Sequence, residues 1–176
     1  MKRLSILAVI IMFAVSCGGT SPAAPSANAN IVKFIATLLP SNVVPAVTNA
    51  DASGRGTATA TLNLTKDGAG TITAATADFT LDVNSFPAGT AVTQLILHPG
   101  AAGVNGGALI QMGLGAGEIV LVNGTQTGIA RTGLTGNGAL TPTVAQDMIN
   151  NPANYYFLVH TALNTGGAAR GQLVKQ

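Results

Sequence analysis

The sequence predicts an all-β domain, an antiparallel β-sandwich of Greek-key-like character with one short helix, preceded by a signal peptide and a flexible tether. Three observations carry this. Beyond residue 30 apolar and polar side chains alternate with period two, the pattern of strands with one face buried. Asp-Gly and Asn-Gly pairs break the alternation at Asp67-Gly68 and Asn123-Gly124, where hairpins turn most readily. A single segment, residues 141–150, carries helix punctuation instead.

Taken in order, Lys2 and Arg3 precede a run from Leu4 to Val15 that is apolar except for Ser5. This is the charged start and short apolar stretch of a signal peptide, too short to span a bilayer. The run ends Ala14-Val15-Ser16-Cys17, which has the form of a lipobox, although such motifs usually carry Leu where Ala14 stands. We therefore read residues 1–16 as the signal peptide and Cys17 as the acylated first residue of the mature chain. A lone cysteine in an exported chain has no disulfide partner. Residues 18–30 hold no charge and no large apolar side chain. With Cys17 they form a disordered linker whose ends as a flexible coil lie about 20 Å apart.

The domain is expected over residues 31–176. Strands are predicted at 32–39, 57–62, 77–83, 91–98, 108–112, 118–122, 125–130, 155–161 and 168–174. The second and third form a hairpin about Asp67-Gly68, whose pair suits a type I′ turn, and 118–122 and 125–130 form another about Asn123-Gly124. In the helical segment Thr141 is the cap, Pro142 occupies the first turn, and Pro152 follows the end. Of Tyr155 and Tyr156, alternation puts at most one in the core and leaves the other exposed.

Once residues 1–16 are removed, six Lys and Arg face six Asp and Glu. A neutral chain with so few charges has no basic stripe to neutralise phosphates, which excludes nucleic-acid binding. Ser41, Ser53 and Ser85 lie in no Gly-x-Ser-x-Gly turn, and the glycine-rich runs at 100–107 and 113–117 lack the Lys-Ser/Thr of a phosphate loop. The chain is read as a non-enzyme, and no cofactor is expected. The two histidines, His98 and His160, are the obvious metal donors. Asp78 and Asp82 have no ligand-like spacing, and a metal site usually takes three or four ligands, so no metal is expected.

Three segments resemble the CHRD (chordin-type) family. Phe34-Ile-Ala-Thr-Leu with Val44-Pro45-Ala46-Val47 is similar to its opening F-x-A-x-L … E-V-P-P-V pattern. Leu95-Ile-Leu-His98-Pro-Gly100, continuing to Asn105-Gly106, is similar to H-I-H-x-G-x-x-G-x-N-G. Tyr155-Tyr-Phe-Leu-Val-His160-Thr161 with Arg170-Gly171-Gln172-Leu173 is similar to Y-V-N-V-H-T … G-E-I-R-G-Q-L. The first His of H-I-H is Ile96 here, and the acidic residue before V-P is Val43.

The resemblance implies an exported β domain and implies no activity. If the domain has a site, it is expected around His98, Asn105, His160, Thr161 and Arg170, with His160, Thr161 and Arg170 tying loops together. The function expected is that of a lipid-anchored cell-envelope protein with a non-enzymatic binding or structural domain. Its partners are the membrane, through Cys17, and an unidentified protein, with self-association a further expectation. In a Gram-negative host Gly18, rather than Asp, after the cysteine directs it to the outer membrane. The alternative is a metal-binding or redox-related module using His98 and His160.

Overall fold

A computed structural model describes residues 30–176. The signal peptide, Cys17 and nearly all of the linker lie outside the described residues. Ten strands and one helix follow in the order β1 (Ile31–Leu38), β2 (Arg55–Lys66), β3 (Ile72–Asn84), β4 (Thr90–Pro99), β5 (Ile110–Gln111), β6 (Ile119–Leu121), β7 (Gln126–Leu134), α1 (Pro142–Asn150), β8 (Tyr155–Thr161), β9 (Ala169–Gln172) and β10 (Val174–Lys175). The first sheet runs β10-β1-β2-β3-β7, and the second runs β5-β4-β8-β9 with β6 also on β4. All the pairings are antiparallel.

Alternation decides which face each strand buries. Along β2, Gly56, Ala58, Ala60, Leu62 and Leu64 point inward while the intervening threonines face out. Small residues on this central strand make room for large ones beside it: Ala60 lies between Phe34 on β1 and Phe79 on β3. Phe79 then crosses the interlayer space to meet Phe157 edge-to-face at 4.8 Å, a favoured aromatic geometry. Helix α1 forms where punctuation predicts it. The Thr141 hydroxyl accepts from Val144 N–H, and Ala145 and Met148 are buried against the core.

The β2–β3 hairpin forms with the expected faces but without the expected turn. Neither Asp67 nor Gly68 takes positive φ; Gly70 does, at 84°. The Asp67 carboxylate accepts from the backbone N–H groups of Ala69 and Thr71 and closes a longer loop, an Asx-type alternative to the two-residue turn.

The second hairpin is not a hairpin. Leu121 O accepts from Gly124 N–H, so the chain turns at Asn123-Gly124. But β6 pairs with β4 and β7 pairs with β3, and the turn carries the chain from one sheet to the other. Gly124, at φ 71°, sits where a Cβ would be 2.0 Å from Phe86 O, a close approach only glycine permits.

The predicted strand 168–174 also divides. β9 belongs to the second sheet and β10 to the first, and Leu39 pairs with Arg170 across the junction.

Candidate functional site

The inner face of the second sheet carries Leu95, Leu97, Tyr155, Phe157 and Val159 into the core. Strand register fixes the outer face. His98 lies opposite Tyr156, which lies opposite Gln172; Ile96 opposes Leu158, which opposes Arg170; Gln94 opposes His160. This face is covered rather than open. Val43 and Val47, from the segment after β1, pack on Tyr156 and Leu158, and the loop after β4 folds over the other end. Tyr155 and Tyr156 do point to opposite faces, yet both are buried, so the expected exposed tyrosine is absent.

Tyr156 is the centre of the arrangement. Its strand lies between β4 and β9. The His98 ring stacks on it at 5.0 Å, 5° from parallel, and the Arg170 guanidinium carbon lies 3.5 Å from its ring centroid. The phenol oxygen accepts from Gly106 N–H at 3.0 Å.

Arg170 is only 1% exposed. Its guanidinium donates to Asn105 Oδ1 (3.1 Å), Ala101 O (2.8 Å), Val104 O (2.8 Å) and Gln172 Oε1 (3.2 Å). No carboxylate pairs with it among the described residues. The compensation for this buried cation is neutral oxygen and an aromatic face, and burial pulls its pKa below the ordinary value. Asn105 completes the link by donating to Val44 O at 2.8 Å. One guanidinium thus fastens both covering segments to the sheet.

The two histidines share a bonding pattern. His98 Nδ1 meets Gly106 O at 3.0 Å, and His160 Nδ1 meets Thr165 O at 2.8 Å. A carbonyl can only accept, so each Nδ1 carries a proton. Both Nε2 atoms are buried without a protein partner, as is Gln94 Oε1. Burial lowers the pKa of His98; hydrogen bonding to the Gly106 and Gly107 backbone opposes this, and the neighbouring His160 and Arg170 add to the lowering. The ring centroids lie 6.4 Å apart beside a cavity of about 220 Å³ that Val43, Asn105, Leu158 and Arg170 also line.

Of the predicted site residues, His98, Asn105, His160 and Arg170 therefore meet around one cavity. Thr161 does not line it. It is buried on the other side of its strand, donates to Asp51 Oδ2 at 2.6 Å and accepts from Asn164 N–H at 3.0 Å. Sequence reasoning missed Tyr156, Gln94, Gln172 and Asp51 as participants. The period-two register of β4, β8 and β9 would have placed the first three on the face of His98 and Arg170. Among the described residues, no three His, Cys, Asp or Glu side chains come together to hold a metal ion.

These features define a two-sheet antiparallel module whose polar residues chiefly bind its own loops. The CHRD domain family model matches residues 34–173, and the chain belongs to the CHRD family. No curated protein and no solved structure matches it.

Proposed function

We propose that the protein is exported, lipid-anchored through Cys17 and held at the cell envelope, where its CHRD domain serves as a non-enzymatic binding or structural module. In a Gram-negative host the outer membrane is its destination. The observation that carries the module reading is the use made of the polar groups. Arg170, Asn105 and Gln172 spend their hydrogen bonds on backbone and side chains of the domain, and among the described residues no Ser, Thr or Cys side chain is bonded to either histidine in the way acyl or phosphoryl transfer needs. Such a site holds loops in a fixed shape for a partner to meet.

The anchor is tested by labelling cells with radioactive palmitate and fractionating them. The chain should take up label and sediment with membranes, and Cys17→Ala should lose label and move to the soluble fraction. An unlabelled wild-type chain in the soluble fraction would sink the anchor.

A further inference from the structure

We propose that residues 43–48 form an acid-released cover: protonation of His98 and His160 beneath them lifts this segment off the second sheet and bares Tyr156 and Leu158. The inference concerns the domain alone and goes beyond the module reading, whether or not Cys17 carries a lipid.

The cover is lightly held. Among the described residues, the one hydrogen bond that ties residues 43–48 to another segment runs from Asn105 Nδ2–H to Val44 O. The Val43 and Val47 N–H groups both donate to Pro40 O, at the foot of the same segment. The remaining attachment is apolar, through Val43 and Val47 on Tyr156 and Leu158. So few ties place a segment at the low end of local stability, where it opens without the rest of the fold.

The space it closes disfavours further charge. Val43 and Val44 line the cavity from the cover, and His98, His160 and Arg170 line it from β4, β8 and β9. The cover, the loop at 100–107 and the loop at 162–168 contain no ionisable side chain. Tyr156 faces the same space and accepts from Gly106 N–H, while Asp51 is bonded to Thr161 on the other side of β8. One buried cation, Arg170, is therefore already present with no carboxylate among the lining residues.

A second cation has no acceptor waiting. With each Nδ1–H on a carbonyl, an arriving proton goes to Nε2, and both Nε2 atoms are buried without a partner. A charged N–H left unbonded in a closed space is costly. Water supplies the acceptor once residues 43–48 move away. Burial accordingly depresses the His98 pKa below 6.5, against the opposing backbone bonds and with His160 and Arg170 adding to the lowering. In the opened state the ring returns toward its ordinary value. The closed state is thus favoured in full above about pH 6.5 and loses that advantage as pH falls toward the depressed value. One imidazole kept uncharged at pH 5 in the closed state raises the open fraction by at most about 30-fold.

Amide hydrogen exchange on the full chain reads the opening, with rates corrected for the intrinsic effect of pH. Between pH 7.5 and 5, protection at Val43 and Val47 should fall by about tenfold or more while Ala58 and Ala60 in β2 keep theirs. Nitrogen-15 NMR of the imidazoles should show Nε2 gaining its proton over the same pH range. The double variant His98→Gln, His160→Gln should lose the pH dependence, and the wild-type titration reads the coupling even if that variant fails to fold. Protection at Val43 and Val47 that survives while the rings protonate, a loss shared equally by Ala58 and Ala60, or an unaltered pH dependence in the double variant would overturn the proposal.

Discussion

Replacing Arg170 by Met keeps an unbranched apolar stem on the Tyr156 ring and removes every donor. The loss is estimated from three charge-assisted bonds, to Asn105, Ala101 O and Val104 O, at about 2 kcal/mol each, and a desolvated stack on Tyr156 at about 2 kcal/mol. Against that total of roughly 8 kcal/mol stands the several kcal/mol recovered by no longer burying a cation that lacks an anionic partner. The net destabilisation expected is about 3–4 kcal/mol. At an m-value of about 1.5 kcal/mol per M, the urea midpoint falls by about 2 M. Arg170→Lys should fare little better, since an ammonium keeps the charge but lacks the planar fork that reaches both loop carbonyls and Asn105. Hydrogen exchange should speed up at residues 101–106 in both variants. A Met variant within about 1 kcal/mol of wild type, or a Lys variant restoring the wild-type midpoint, would refute the claim that this guanidinium holds the loops by its geometry.

Thr161→Val deletes the donor to buried Asp51 Oδ2 and the acceptor for Asn164 N–H. It should cost about 2 kcal/mol by thermal unfolding, with Thr161→Ser restoring most of it; an unchanged melting temperature would show that Asn164 alone satisfies the carboxylate. Tyr155→Phe tests pH dependence. Tyr155 O–H donates to Asp147 Oδ2 at 2.6 Å, which holds the Asp147 carboxyl below its ordinary 3.8, while burial and that carboxylate push the phenol above its ordinary 10.0. The carboxyl contribution is complete above about pH 4 and lost as pH falls through the depressed folded value; the phenol contribution is complete below about pH 10 and lost as pH rises toward the raised one. Wild type should therefore exceed Tyr155→Phe by a constant margin between pH 5 and 9 by denaturant unfolding, and the margin should close in acid. A margin that grows in acid would reverse the assigned sign.

What the sequence made legible follows from what it encodes locally. Alternation along β2 and β3 specifies a period and a buried face, so their pairing was readable. Asn123-Gly124 encodes a turn but not a partner, and two strands leaving one turn can join different sheets when a neighbour such as Phe86 O fills the space beside the glycine. Covering of the second sheet was present in the sequence in a form that alternation hides. The runs Leu95-Ile96-Leu97 and Tyr155 to Val159 are continuously apolar, the mark of strands buried on both faces. Arg170, His98, His160 and Asn105 surfaced through motif resemblance, helped for the histidines and the arginine by the rarity of their types in this chain. Tyr156 and Gln94 did not, since only register shows that a tyrosine and a glutamine share their face. Thr161 was misplaced because adjacency in sequence puts it beside His160 while the pleat turns it away.

The course of β1 sets the position of this site relative to the end where the linker joins. Ile31, where the linker joins, starts the strand, and Leu39, just past its end, pairs with Arg170, about 26 Å further along at the usual rise per residue. The return strand β10 places Lys175 opposite Phe34, and Gln176 N–H donates to Lys33 O, so residues 31 and 176 occupy the same half of β1. Were Cys17 lipidated as proposed, the tether would join the domain at its Ile31 end, the end of β1 away from Arg170, Tyr156 and the loops Arg170 fastens. Lengthening residues 18–30 would then change the reach of the domain from its anchor but not the point of attachment, because β1 and its pairing with β2 and β10 set which end carries Ile31.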